Sequence, residues 1–369
     1  MAGFQCALTF AVDPADLTVT QRRKDPGNVS ATIRDIAKNA GVSPMTVSRV
    51  INNKPGVSDT TRTKVNLALK ELNYSPSRTV NRGVPSKSDL IGLIVPDIAN
   101  PFFAPIVQGV EKVAAKAGFR VLICNSESDL RLERDYTYDL AAHGVVGLIV
   151  APVSDQSRIH LEWVREQFIP LVLLDREVAD FECDSVGVDN VQGARLLTDH
   201  LIGIGHRRIC FVSDSFEVST GRERLRGFRE AMRAAGLAID DDLIHVTTPD
   251  LLGGYRAAQQ ILGMAQRPTA LVAVNNMTAL GLVKALREAG TAIPDDIALA
   301  CFDDVQHLAI ISPFLTVIDQ PSETMARVAA QLLTERIKID FNKSPRHVKF
   351  PGELIVRMSC GSKLDRIHG

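Results

Sequence analysis

From Leu90 onward, short apolar runs alternate with longer stretches of helical period, and this alternation narrows the fold more than any other feature. "LIGLIVPD" precedes "NPFFAPIVQGVEKVAAKAG", "RVLICNS" precedes "LERDYTYDLAAHG", and "VVGLIVAP", "PLVLLDRE" and "DSVGVDN" follow. The unit then recurs with "GARLLTDHLIGIG", "RRICFVSD", "GRERLRGFREAMRAAG", "TALVAVNN", "MTALGLVKALREAG" and "IALACFDD". Short runs with no polar face must be buried on both sides. A parallel sheet covered by helices on both faces does this. The sequence therefore predicts an α/β body of two similar halves, each of about 100 residues, split near 188.

The stretch before Leu90 follows a different rule. Ile33, Ile36, Ala37 and Ala40 recur at helical spacing, giving a helix over about 32–39 that Gly41 ends. Ser43 is a good N-cap, and Pro44 suits the first position of a second helix reaching about Asn52. Val47, Val50 and Ile51 form its packing face. Met45, Arg49 and Asn52 share the opposite face, bordered by Thr46 and Ser48. Ser58 caps a third helix to about Asn73, with Val65, Leu67, Ala68 and Leu72 turned inward. Two short helices joined by a glycine turn and braced by a third make a helix-turn-helix.

Charge then discriminates between partners. Residues 31–82 carry nine basic and three acidic side chains, +6 within a chain of net charge −1, so 83–369 carry −7. A small basic module on a larger acidic body points to a polyanion at one end only. The second helix is slim enough for a major groove, where Arg49 can donate two bonds to guanine. Asn52 can bond a base edge or a phosphate, and Met45 offers apolar contact, for example to a thymine methyl. Thr32, Ser43, Ser58 and Thr61 stand at or near helix starts, whose hydroxyls and free N–H groups suit phosphate. A three-helix module docking on a protein is the rival reading, and the charge and the polar face argue against it.

The six cysteines are scattered without a C-x-x-C, as expected of core residues in a reducing compartment. No run is long and apolar enough for a membrane span, and "RRK" at 22–24 follows the N-terminal apolar run instead of preceding it, unlike a signal peptide. A cytoplasmic protein with no membrane partner is expected. Residues 1–30 mix proline, glycine and charge without period and are expected to be a flexible tail; Val29 is a candidate alternative start.

"ATIRDIAKNAGVSPMTVSRVINNKPGVSDTTRTKVNLALKELNYSPSR" closely resembles the headpiece of the lactose-repressor/purine-repressor family. The resemblance implies a homodimer gripping a near-palindromic operator in double-stranded DNA. It makes Pro44 and Met45 specificity positions, Arg49 a base reader, and Tyr74 and Arg78 residues that touch DNA or pack beside it. The headpiece is then 31–75 and a hinge 76–88. In the family, a hinge helix inserts a leucine wedge into the minor groove. Here that stretch is "TVNRGVPSKSD": Val80 opens it, Gly83 stands at the wedge position, and Val84 follows. Glycine has nothing to insert and costs about 1 kcal/mol in a helix, so either Val84 takes the wedge role or the segment is a plain linker.

Polar residues gather where the body's strands end, the crevice in which open α/β sheets bind ligands. Asp97, Asn100, Phe102, Phe103, Asn125, Asp175, Arg176, Asn275, Asp303 and Gln320 are candidates, joined by Arg195 and Arg224. Carboxylates, amides and an arginine fork suit a polyhydroxylated ligand. Taken singly, Asp97 and Asp303 read as caps or turn residues.

The resemblance continues through "IANPFF", "VDNVQGARLLTDHLIGIGHRRI", "RERLRGF", "VNNMTALG", "CFDDV" and "LTVIDQP" into a periplasmic-binding-protein-like core of two subdomains. One covers 89–188 and is completed by about 321–349; the other covers 189–320 and is completed by about 350–362. The match implies that Arg195, Asn275, Asp303 and Gln320 contact effector and that Phe102, Phe103 and Phe228 line the pocket. Asn276 departs from the family's usual aspartate. No catalytic set, P-loop, metal cluster or cofactor motif emerges. The expectation is a ligand-responsive repressor that is not an enzyme. Two rivals remain: a transport solute-binding protein, and a sugar enzyme that would draw its acid–base pair from Asp175, Asp303 and Asp304.

Overall fold

Three short helices close around a few small aliphatic side chains. α1 (Ile33–Ala40), α2 (Pro44–Ile51) and α3 (Asp59–Glu71) bury Ile36, Ala37, Val47, Val50, Val65 and Ala68. Gly41 takes a left-handed backbone, φ 65°, and the Val42 N–H donates to the Ala37 carbonyl at 3.0 Å. A side chain there would be strained, which is why glycine ends α1. Leu67 departs from the sequence expectation: it is 54% exposed, and Leu69 packs against the core instead. The helical face set by Val65 and Ala68 continues through 69, whereas 67 points roughly 200° away from 65.

The structure is a computed structural model that describes residues 33–51, 57–71, 89–213, 216–305, 314–338 and 344–362. The tail over 1–30, Thr32, Asn52, Leu72, Tyr74, Arg78 and the hinge positions Val80, Gly83 and Val84 lie outside them, as do the side chains of Ile33, Ser48 and Ile51. The chain divides into two units, Met1–Pro85 and Ser86–Gly369.

The second unit is an α/β body. In its first lobe β1 (Leu90–Val95), β2 (Arg120–Asn125), β3 (Gly147–Val150), β4 (Leu171–Leu174) and β5 (Asp184–Val188) alternate with α4 (Phe103–Ala117), α5 (Leu130–Ala142) and α6 (Arg158–Glu166). In the second, β6 (Ile209–Ser213), β7 (Ile244–Val246), β8 (Ala270–Ala273), β9 (Ala298–Phe302) and β10 (Thr316–Asp319) alternate with α7 (Asn190–Gly203), α8 (Ser219–Ala234), α9 (Leu251–Leu262) and α10 (Asn276–Glu288). The chain then returns to the first lobe with α11 (Ser322–Lys338) and β11 (His347–Phe350), and to the second with β12 (Glu353–Ile355).

The two sheets run β11-β5-β4-β3-β1-β2 and β12-β10-β9-β8-β6-β7. Every described pair is parallel except β10 with β12. β3, β4, β6, β8 and β9 are buried throughout, as strands covered on both faces must be. Arg336 of α11 donates to both oxygens of Asp184 on β5, at 2.8 and 2.7 Å, and so anchors the returning helix. The chain crosses between lobes three times, after β5, β10 and β11. Two crossings are tied where the Asp189 N–H donates to the Phe350 carbonyl at 2.8 Å.

Candidate nucleic-acid interface and interlobe cleft

In the first unit, the second helix is prepared at its start. The Ser43 Oγ accepts the Thr46 N–H at 3.1 Å, and the two hydroxyls lie 2.9 Å apart. Ser58 does the same for α3, accepting the Thr61 N–H at 3.3 Å. These hydroxyls cap helices within the chain, and Ser43 and Ser58 are exposed. Along α2, Val47 and Val50 are buried, while Pro44 and Arg49 are exposed and Met45 is 70% exposed. An apolar residue this exposed beside an arginine has no packing role in this unit. The result is a short, capped, one-sided rod whose outer face carries a guanidinium and an apolar tip, group types that can contact base edges.

In the body, the strand ends of both lobes converge on Arg224. This α8 side chain is almost fully buried. Its Nε donates to Asn190 Oδ1 at 2.8 Å, its Nη1 to the Val274 carbonyl at 2.6 Å, and its guanidinium lies 4.0 Å from the Phe302 ring centre. Two buried carboxylates feel its charge, Asp175 after β4 and Asp303 after β9. Both stand at φ 68°, a left-handed backbone that aspartate tolerates better than most residues. Burial raises both above the ordinary carboxylate value, against the pull of Arg176 and Arg224 on Asp175 and of Arg224 on Asp303; Asp303 reaches about 6. Gln320, at the end of β10, donates its Nε2 to Asp303 Oδ1.

The lobes touch across this centre. Asn276 Nδ2 donates to Asn100 Oδ1 at 3.0 Å. Further along, Arg222 pairs with Asp155 at 2.6 Å, the Glu177 N–H donates to Ser219 Oγ at 2.9 Å, and Lys349 meets Glu223 at 3.2 Å. A cavity of about 360 Å³ opens between the lobes, lined by Ser128, Ser154, Gln156 and Arg176 from one side and Glu217, Val218 and Pro249 from the other. A second, of about 390 Å³, lies on the Glu177, Arg222 and His347 side and includes none of the strand-end residues singled out above.

Asn100, Asp175, Arg176, Arg224, Asp303 and Gln320 are thus brought together. Other expected positions serve the scaffold. Asn125 accepts the Ile98 N–H at 2.9 Å, and Asp97 accepts the Ala99 N–H at 2.9 Å; both shape the loop after β1. Asn275 caps α10, accepting the Thr278 N–H at 2.8 Å. Phe102 and Phe103 meet edge to face, ring centres 5.1 Å apart, within the first lobe's core. Phe228 lines neither of these two cavities: it is fully buried, its ring 5.1 Å from that of Phe211. Arg195 is not at the centre either. It lies on the outer face of α7, its side chain 55% exposed and paired with Asp199 one turn on at 3.5 Å. Asp304 is held by Arg357 through two bonds of 2.8 and 2.7 Å, so it is not free for acid–base work. Asn190, which orients Arg224, did not stand out in the sequence; its only local sign is its place at a strand end.

Among the described residues no group of three His, Cys, Asp or Glu could hold a metal, and no helix is long and apolar enough to cross a membrane.

Comparison with known proteins agrees with both units. Residues 32–77 match the family of bacterial regulatory proteins, lacI family, and residues 198–360 match a periplasmic binding protein-like domain. The HTH-type transcriptional repressor PurR of Photobacterium profundum is 36% identical over 330 residues, 89% of this chain and 98% of the relative. The regulator GalR of Escherichia coli is 35% identical over 306 residues, covering 82% and 88%. The solved structure of a transcriptional regulator CelR–cellobiose complex superposes with a TM-score of 0.68 at 31% identity, covering 89% and 99%. With a LacI-type headpiece, a two-lobed binding body and relatives matched nearly end to end, this chain belongs to the LacI family of DNA-binding transcriptional regulators.

Proposed function

We propose that the chain is a repressor that binds a near-palindromic operator as a homodimer, and that a small carbohydrate-type effector held between the lobes sets its operator affinity. The observation that carries the DNA half is the outer face of α2, where Met45 and Arg49 stand exposed on a serine-capped helix within a segment of charge +6. The buried strand-end cluster around Arg224 carries the effector half, supported by the cellobiose complex of CelR and a ribose-bound LacI-family regulator of Enterococcus faecium, 29% identical with a TM-score of 0.64. The three interlobe crossings suit a hinge, so a ligand that favours one lobe angle would shift the population competent for DNA.

The dimer reading has its own support. Each sheet ends in an edge strand with exposed apolar residues nearby: Leu122 and Ile123 on β2 with Ile98, and Val246 on β7 with Leu251 and Leu252 on α9. Open edges of this kind pair or are covered, and a second copy would double the 40.2 kDa chain. The protein would act in the cytoplasm on the nucleoid, with no cofactor beyond the effector and no turnover of it.

The test is selection of duplexes by the full-length chain, followed by binding measurements on the enriched sequence with and without candidate sugars. Recovery of a two-fold-symmetric site whose affinity changes with a sugar is the expected result. Failure to enrich any sequence over random duplex refutes the reading.

A further inference from the structure

The ion pairs that join the lobes differ in how far they stand from the crossings. Lys349 belongs to β11, the strand that leads into the third crossing. Its partner Glu223 also accepts from Asn190 Nδ2 at 3.0 Å, just past the first crossing. That pair lies at the pivot, where a change of lobe angle moves atoms least. Asp155 lies in the loop after β3. The order β11-β5-β4-β3 sets β3 three strands in from that edge, roughly 15 Å away at the usual strand spacing. There Arg222 of the second lobe meets both carboxylate oxygens, Nη1 to Oδ2 at 2.6 Å and Nη2 to Oδ1 at 3.2 Å. A two-point contact at that radius opposes opening with a longer lever than the pair at the pivot.

Both members are held in place by their own lobes. Asp155 Oδ1 also accepts the Ala179 N–H at 3.0 Å, and Ser154 caps the turn, its Oγ accepting the Gln156 N–H at 3.2 Å. Beneath the loop, buried Glu133 accepts the Val153 N–H with one oxygen and meets His160 Nε2 with the other, each at 2.7 Å. In the second lobe, Arg222 Nη1 donates to the Phe216 carbonyl at 2.9 Å. The backbone adds its own tie between lobes, the Asp155 N–H donating to the Glu217 carbonyl at 3.2 Å. Side chains fixed in this way lose little rotamer freedom on pairing. The pair therefore keeps more of its attraction than a free surface pair, although at 37% and 33% exposure salt still screens it. Ser154 and Gln156, on either side of Asp155, line the cavity of about 360 Å³, and Arg222 lines the one of about 390 Å³, so the pair stands between the two.

We propose, resting on the hinge of the reading above, that Asp155 and Arg222 form a latch: it holds the lobes closed through the chain's own groups, and it must part before the cleft opens. The protein itself thereby weights the closed state, and a ligand acts on an equilibrium that the latch has already biased.

Hydrogen exchange read by mass spectrometry on the full-length protein, without added sugar, tests this. The reporters are the Asp155 N–H, bonded across the lobes to Glu217, and the Glu177 N–H, bonded across them to Ser219 Oγ. Arg222→Gln is expected to speed exchange at both by about tenfold, while β4 and β8 in the two cores keep the parent's rates. Asp155→Asn keeps an oxygen for the Ala179 N–H and should do the same. The double variant should be no faster than either single one, because each change removes the same contact. Raising NaCl from about 0.05 M to about 1 M should speed the parent at the two reporters and leave the double variant unchanged.

Unchanged exchange at Glu177 in Arg222→Gln would make the pair a brace of its own loop and overturn the latch. A double variant in which the two single effects multiply would overturn it too. Should Arg222→Gln lose protection in the cores as well, Arg222→Lys, which keeps the charge and gives up the two-point contact, decides. Faster exchange at both reporters with unchanged cores supports the latch, and any other pattern overturns it. The two readings fail separately: the exchange pattern involves no ligand, whereas sugars that leave operator affinity unchanged defeat the effector reading and leave the latch standing.

Discussion

Arg49 and Met45 share the outer face of a helix whose inner face is consumed by Val47 and Val50, so their side chains are free to meet a partner. Arg49→Ala is expected to cost about 1–3 kcal/mol on the selected operator and to relax preference at one base pair, read by competition binding. Discrimination that survives the change would remove the assignment. Asp303 makes a second prediction, in pH. Burial raises it from 3.8 to about 6, so the folded chain holds this proton more tightly than the unfolded one. Its support for folding is full below about pH 4 and is lost as pH rises through about 6, a difference on the order of 3 kcal/mol. Asp303→Asn keeps an acceptor for Gln320 and suits the same backbone. It should melt higher than the parent at about pH 7.5 and level with it at about pH 4; the opposite order in a pH series of melts would sink this account. The exposed place of Arg49 on its helix was legible in the sequence because that helix is short and local. Arg195 was misplaced because "GARLLTDH" shows that 195 is helical but not which face meets the neighbouring lobe.

At the scale of elements, the second lobe depends on one close helix pair. A Cβ at Gly254 would collide with the Thr278 carbonyl, and one at Gly281 with the Leu251 carbonyl, so α9 and α10 pack backbone to backbone there. Gly281→Ala should therefore destabilise by about 1–3 kcal/mol, although alanine alone favours a helix by about 1 kcal/mol. Gly203, near the end of α7, has open space where its Cβ would be, and Gly203→Ala should be neutral or stabilise by up to about 1 kcal/mol. Urea melts of the two variants check the pair together. In the sequence these are simply glycines within helical patterns; period marks the helix, while the approach of a second backbone is invisible until both helices are placed. Leu67 shows the same limit, since a third helix offers leucines at 67 and 69 and only the position of the first two decides which one packs.

For the whole molecule, charge and edges govern behaviour. Lys38 and Lys64 are exposed on the basic headpiece, and Lys64→Ala should weaken binding to all duplexes alike and flatten the salt dependence by about one counterion. A loss confined to one operator would contradict that. If the proposed dimer forms through the β2 edge, Leu122→Asp should shift the chain toward monomers at concentrations where the parent pairs, as light scattering would show; a variant that pairs as the parent does would place the interface elsewhere. By itself the sequence determined the two kinds of module, their order, and the parallel α/β character of the body, because helical and strand periods are local and the charge asymmetry can be counted. It also pointed to the outer face of α2, since capping and periodicity act within a few residues. Only the tertiary structure decided which strand-end residues form the cleft. Asn100 and Asn276, 176 positions apart, meet because three crossings fold one lobe onto the other, and that meeting leaves Asn276 Oδ1 in the interior without a hydrogen-bond partner.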